Sequence, residues 1–295
     1  MSPGARRRRL LLLGAAVPAF GTARAVLGDD KPFSPFVTSP QVAVVRMLEL
    51  ARTGPGDHVI DLGSGDGRIP ILAASRFGAT AHGVDLDARL VELSQANARA
   101  AGVAQRVSFA RQDVFVTDVS KATVVTLYLL PPIVQALRPR LLGQMRVGSR
   151  IVSHDFPFDG WQADEQVTFF APDKNDGRGG ESTVFLYLVP AQVHGRWQMS
   201  VAGGSIPGGL QLQVSQQNQM LDAEIHAEGR VFEARDGRLR GDRIGFVASL
   251  PERPAGPPVR LWRFEGQVDG ASIGGIVRDE AGRELRWQAR RIAVR

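Results

Sequence analysis

The stretch Val59-Ile60-Asp61-Leu62-Gly63-Ser64-Gly65-Asp66-Gly67-Arg68 constrains this chain more than any other. It reads as a short buried strand, a tight turn with glycine at alternate positions, and the first turn of a helix running to about Phe77. Glycine adopts positive φ at little cost and lets a ligand approach the main chain with no Cβ between them. The helix start leaves free N–H groups beside the turn, which favour negative charge or carboxylate oxygens there. A flat, polar ligand is therefore expected against this turn.

The placement of acids narrows the ligand. A dinucleotide fingerprint is Gly-x-Gly-x-x-Gly with an acid about 20 residues on. Here the pattern is Asp61-x-Gly63-x-Gly65-x-Gly67, with Ser64 and Asp66 inside the turn. Two anions repel a pyrophosphate and suit a ligand bearing an ammonium. A second strand, Thr80 to Val84, ends in Asp85, placed for a ribose diol. A third, Val107 to Arg111, ends in Gln112-Asp113-Val114, an acid and an apolar neighbour for an adenine edge and face. This ordered set fits S-adenosylmethionine, and with it the chain resembles a class I S-adenosylmethionine-dependent methyltransferase. The resemblance implies a Rossmann-like α/β fold with a seven-stranded sheet.

Residues 1–25 stand apart. Arg6-Arg7-Arg8-Arg9 precedes Leu10 to Phe20, an apolar run too short to span a bilayer, and Ala23-Arg24-Ala25 offers a small-residue cleavage site. The segment reads as an export signal and resembles the twin-arginine type, which implies the bacterial periplasm. The alternative is a retained segment on a cytoplasmic or membrane-associated protein. The segment carries five arginines and no acid, so the whole-chain charge of +6 falls to +1 without it. That removes the charge argument for a nucleic-acid partner. With no cysteine, the chain has neither disulfides nor thiolate metal sites, and no metal ligand set is assigned. No later run of 18 apolar residues predicts a transmembrane span.

The remaining length suggests two domains, 26–190 and 191–295. Ser39-Pro40 reads as a cap and first helical residue, with Val44, Met47, Leu48 and Ala51 inward. Asp87 caps a further helix with Leu90, Leu93 and Ala100 inward. The fourth strand, Thr123 to Leu130, is apolar throughout and hence central, and Pro131-Pro132 opens the next helix. A fifth strand runs into His154-Asp155, at the edge where open α/β sheets bind ligands. Gln166–Phe170 and Thr183–Val189 read as a closing antiparallel pair, with no room for a helix before them.

Residues 31–190 are similar to one branch of the superfamily, the small protein lysine methyltransferases, which include the mitochondrial ATP-synthase c-subunit enzyme and archaeal relatives. Pro35-Phe36-Val37-Thr38, the Asp61–Arg68 turn and Asp113-Val-Phe carry the likeness. It implies that the turn, Asp85 and Asp113 hold S-adenosylmethionine and that the segment around Thr38 closes over it. The acceptor is then a nucleophile on a protein or small molecule, with a lysine amine the implied case. Tyr128, His154 and Asp155 are the candidates to orient it or accept its proton. The competing readings are a non-catalytic S-adenosylmethionine-binding module whose β domain binds a ligand or partner, and an NAD-dependent oxidoreductase.

From Gly195 helical spacing gives way to strict alternation, as in Leu210-x-Leu212-x-Val214 and Ile244-x-Phe246-x-Ala248-x-Leu250. Asp236-Gly237, Gly241-Asp242 and Asp269-Gly270 read as turns between strands. Gly195-Arg196-Trp197 resembles the opening of lipocalin-like barrels. The expectation is a small antiparallel meander or partial barrel of about seven strands, either supporting the first domain and docking a partner or binding a ligand in its mouth.

Overall fold

The computed structural model describes residues 36–203, 206, 208–251 and 259–292; the expected export signal lies outside them. The first half runs α1 (Gln41–Leu50), β1 (His58–Leu62), α2 (Arg68–Phe77), β2 (Thr80–Asp85), α3 (Ala88–Ala100), β3 (Val107–Arg111), β4 (Val124–Leu127), α4 (Pro131–Gln144) and β5 (Arg150–His154), with no helix between β3 and β4. It closes with β6 (Glu165–Ala171) and β7 (Gly180–Leu188). The seven strands form one sheet in the order 3-2-1-4-5-7-6, with β7 antiparallel to both β5 and β6.

Both faces of this sheet are covered. Val59 points with Val124 and Val152 into a core with Val44, Met47 and Leu48 of α1 and Ile69 and Ala73 of α2. Ile60 and Leu62 point the other way, with Val125 and Leu127, onto Val134, Leu137 and Leu141 of α4. Burial on two sides is why the central strands read as unbroken apolar runs.

Three details depart from expectation. The fourth strand stops at Leu127, because Leu130 becomes the extended residue ahead of the Pro131-Pro132 helix start, so Tyr128 stands just beyond the ladder. On α3 the inward residues are Val91, Ser94 and Ala98, while Leu93 is exposed; small side chains are needed where the helix crosses the glycine turn. Pro40, not Ser39, precedes α1, and the Gln41 N–H is capped by Asp173 Oδ2 at 2.7 Å, from the β6–β7 connection.

The second half is a closed barrel of eight strands, in place of a meander or partial barrel of about seven. It comprises β8 (Gly195–Val201), β9 (Leu210–Gln217), β10 (Met220–Ala227), β11 (Arg230–Arg240), β12 (Arg243–Pro251), β13 (Val259–Asp269), β14 (Ser272–Asp279) and β15 (Glu284–Arg291). Each strand pairs with its sequence neighbour, and β15 returns to β8. Asp236-Gly237 is a bulge inside β11 rather than a turn. Asp236 has φ +55°, and at Gly237 the Leu221 carbonyl passes too close to admit a Cβ. Trp197, Trp262, Phe246, Phe264 and Trp287 fill the interior with Met199 and Leu212, a packed core in a barrel of this size. Among the described residues no helix is long and apolar enough to cross a membrane.

Candidate active site

In a 3-2-1-4-5 sheet the strand order reverses between β1 and β4, and ligands bind at the carboxyl ends of the strands beside that reversal. The chain leaves β1 at Leu62 into Gly63, Gly65 and Gly67, with φ of +82°, +54° and +83°. Gly63 and Ser64 N–H both reach the Val84 carbonyl at 2.9 Å, tying the turn to the end of β2. Gly67 starts α2 in the left-handed region, and a Cβ there would stand 2.7 Å from the Phe109 ring and 2.8 Å from Ser94. Gly65 carries the Phe36 ring directly on its Cα face.

Around this turn the acids differ in their freedom. Asp61 is buried, with Oδ1 accepting from Thr126 Oγ1 at 2.6 Å. Burial pushes its carboxyl up to about 7 against the pull of that hydrogen bond, and the neighbouring Asp85 and Asp66 charges push the same way. Asp85 accepts from Gly65 N–H at 3.0 Å through one oxygen and from Asp87 N–H at 3.0 Å through the other, so it braces the turn. Asp66 is not the free anion expected. Arg68 clasps its carboxylate, with Nη2 to Oδ2 at 2.6 Å, and also donates to the Ser39 carbonyl at 2.6 Å. Asp113 stands past β3, where its Oδ1 caps Phe115 N–H at 2.8 Å, and Val114 packs on the core beneath it. Thr38 is exposed; the residue of its segment that touches the turn is Phe36.

A second group gathers at the ends of β4 and β5. Tyr128, half-buried, lies over the His154 ring with centroids 4.1 Å apart, and Phe156 stacks on Tyr128 at 6.2 Å. His154 is fully buried, with Nε2 3.1 Å from Ser182 Oγ and Nδ1 without a hydrogen-bond partner. Desolvation lowers its pKa to about 4, overriding the attraction of Asp155. The ring is therefore neutral near pH 7, too weak a base to be a resting place for an ammonium proton. Burial and Asp155 together push the Tyr128 hydroxyl pKa up. Asp155 has φ +59° at the centre of a three-residue turn, with Phe156 N–H on the His154 carbonyl at 2.8 Å. Its Oδ2 receives Lys174 Nζ at 2.6 Å.

The sequence thus brought Asp61, the glycine turn and Asp85 to one place, and Tyr128, His154 and Asp155 to another beside it. Phe36, Arg68 and Lys174 were missed. Phe36 lay in a quoted segment, whereas Lys174 gives no local signal, being 19 residues from its partner.

A sulfonium nucleoside with an ammonium fits the first group. A buried carboxyl with raised pKa is stabilised by a neighbouring cation, the left-handed turn exposes bare main chain, and Ser64 Oγ is a buried polar atom with no partner. Fold and site together define a class I methyltransferase. A family model described as the ANTKMT methyltransferase domain matches residues 61–165. A protein-lysine N-methyltransferase of Saccharolobus islandicus is 38% identical over 159 residues, which are 54% of this chain and 95% of that protein. The ATP synthase c-subunit lysine N-methyltransferase of Mus musculus is 35% identical over 55% of this chain, which spans 59% of that protein's length. A solved RNA methyltransferase of Salinibacter ruber with S-adenosyl-L-homocysteine is 44% identical, covering 53% of this chain and 96% of its own, with a TM-score of 0.48. The chain belongs to the family of S-adenosylmethionine-dependent methyltransferases that includes these protein-lysine enzymes. It is an enzyme of that class, with S-adenosylmethionine as cofactor.

Proposed function

We propose that the acceptor is the side-chain amine of a protein lysine. The observation that carries this reading is the likeness to the Saccharolobus islandicus protein-lysine N-methyltransferase over nearly all of that protein. The ring-walled carboxylate at the ends of β4 and β5 agrees with it, since an ammonium is attracted both to a carboxylate and to aromatic faces. Bound S-adenosylmethionine supplies a methyl group on a positively charged sulfur. Asp61 and the Gly63–Gly67 backbone, with Ser64, would hold its amino-acid part, Asp85 the ribose, and Asp113 with Val114 the adenine. The segment of Phe36 to Thr38 would roof the crevice, and Arg68 keeps Asp66 from competing for the ligand's ammonium. Displacement at a methyl carbon is governed by alignment, so the chain contributes mainly by positioning. A lysine amine attacks only when neutral, and its ordinary pKa is about 10.4; Tyr128 and Asp155 are the groups facing the acceptor that would orient it as its proton leaves for solvent.

The test is transfer of a labelled methyl group from S-adenosylmethionine by the full chain to separated protein, RNA and small-molecule fractions. The export reading of residues 1–25 makes cell-envelope proteins the first fraction to try. Label recovered as methyl-lysine after hydrolysis is the expected result. Label confined to RNA or small molecules overturns the lysine assignment, and cofactor binding without transfer to any fraction favours the non-catalytic reading.

A further inference from the structure

Lysine is scarce in this chain. Of 36 basic residues three are lysines, at positions 31, 121 and 174. Among the described residues, carboxylates are paired by arginine or histidine in every ion pair but one, including Arg68–Asp66, Arg150–Asp57 and Arg240–Glu165. The exception is Lys174 on Asp155, at the acceptor side of the site.

The arrangement at Asp155 does not depend on Lys174. The Asp155 N–H donates to the Thr183 carbonyl at 2.7 Å, and Thr183 N–H donates back to Oδ1 at 3.0 Å. Ser153 Oγ fixes the Phe156 carbonyl at 2.5 Å. The left-handed turn is thus locked from three sides, a strained conformation of the kind that persists where the surroundings over-determine it. Its effect is to leave Oδ2 without a main-chain partner, 3.5 Å from His154 Nε2 and turned toward Lys174 beside the Tyr128, His154 and Phe156 rings. Lys174 enters from the β6–β7 connection, which lies at the carboxyl edge of the sheet because β6 runs parallel to β5. It gives a second hydrogen bond to the Glu181 carbonyl. Arg in its place would clasp the carboxylate through two parallel N–H groups; a lysine ammonium is a compact, well-hydrated charge on a flexible stem and leaves more readily.

We infer that Asp155 and the Tyr128–His154–Phe156 ring wall are the ammonium subsite of the acceptor, and that Lys174 fills it in the resting enzyme as an internal competitor. The inference rests on the lysine-amine reading above and adds to it the residue that selects the ammonium and the residue that an incoming lysine must displace. A subsite held by its own lysine for most of the time lowers the apparent affinity of any rival by the fraction left open. Acceptors able to bring a second contact would then be favoured over free amines.

The experiment compares K174M, K174R and D155N in the full chain. With a lysine-containing peptide as acceptor, K174M should lower KM by about tenfold, with kcat and cofactor affinity little changed. K174R, which keeps a cation on Asp155, should not lower KM. D155N should raise it. A binding measurement independent of turnover uses n-butylammonium, titrated calorimetrically: K174M should bind it about tenfold more tightly than wild type does, and the D155N/K174M double variant should lose that gain. K174Q repeats both measurements if K174M melts early, since the Asp173 cap and the β6–β7 pairing anchor the connection without the lysine. Methyl transfer to lysine with the same KM in wild type, K174M and K174Q overturns the inference while leaving the acceptor assignment intact. Absence of methyl-lysine from wild type and K174M alike removes the acceptor assignment instead.

Discussion

A carboxyl group sealed beneath a glycine turn makes the protein's stability depend on pH in an unusual direction. Asp61 titrates near 7 in the folded chain, against 3.8 when unperturbed. Between about pH 4 and 7 the folded form therefore holds a proton that the unfolded form has released. Stability conferred by this group is greatest below pH 4, declines as pH rises through that window, and levels off above 7. The total is on the order of a few kcal/mol. Asp61→Asn should flatten that portion of a stability–pH curve measured by urea melts. A bound ammonium reverses the balance, because it favours the ionised carboxylate. Binding of S-adenosylhomocysteine at pH 6 should then release a proton, read from calorimetry in two buffers of different ionisation enthalpy. Equal heats in the two buffers would remove Asp61 from the ammonium. Asp85 behaves differently, since its two oxygens already serve Gly65 and Asp87 N–H. Asp85→Ala should weaken cofactor binding by at least tenfold, and it should also cost about 1–3 kcal/mol by orphaning those donors. A variant that keeps its calorimetric affinity would refute the ribose assignment.

At the scale of elements, what could be read in advance depended on how far apart the partners lie in the chain. The Asp61–Arg68 turn is legible because strand, glycines and helix start are contiguous, and the buried face of α1 because Val44, Met47, Leu48 and Ala51 repeat at helical spacing. The cap of α1 was not legible. The cue Ser39-Pro40 is local, while the group that satisfies Gln41 N–H lies 132 residues on. Leu93 read as inward because apolarity was weighed without the tight crossing at Gly67, which selects Ser94 by size. Closure of the barrel likewise hides in a pairing of its last strand with its first, such as Trp287 opposite Val201. The distant cap carries its own prediction. Asp173→Ala should cost about 1 kcal/mol, as loss of an N-cap acceptor does, and Asp173→Asn should recover most of it. An unchanged melting temperature in the alanine variant would mean that solvent replaces the cap. Gly67→Ala should cost more, since it combines a left-handed φ with contacts at 2.7 and 2.8 Å.

Across the whole molecule, the two halves meet around the helix-free link from β5 to β6. This ten-residue connection, 155–164, buries Phe158 and Trp161 against Tyr187. The β9–β10 turn then closes over it: Asn218 Nδ2 donates to the Gly160 carbonyl at 3.1 Å, and Gln219 Nε2 to that of Gln162. Arg138 of α4 joins the parts. Its guanidinium reaches the Asp159 carbonyl at 2.7 Å and the Asn218 side chain, and lies over the Trp161 ring at 5.5 Å. At the other end the Gly241 turn of the barrel comes against Gly148, and Ala191 N–H meets the Gly241 carbonyl at 2.9 Å. Each half has its own apolar core, so the junction, rather than the cores, decides whether they melt together. Arg138→Ala removes a charged donor from two acceptors and a cation from the Trp161 face, a loss of about 1.5–3 kcal/mol per hydrogen bond to a charged group before relaxation. The expected outcome is a calorimetric scan in which one transition becomes two, with cofactor affinity unchanged because the partners of Arg138 (Asp159, Asn218 and Trp161) are not residues of the cofactor crevice. Gly241→Val, which forces the turn off Gly148, should split the scan in the same way. If both variants keep a single transition at a lower temperature, the halves are coupled through β7 and residues 189–194 instead, and the barrel is part of the same cooperative unit as the sheet.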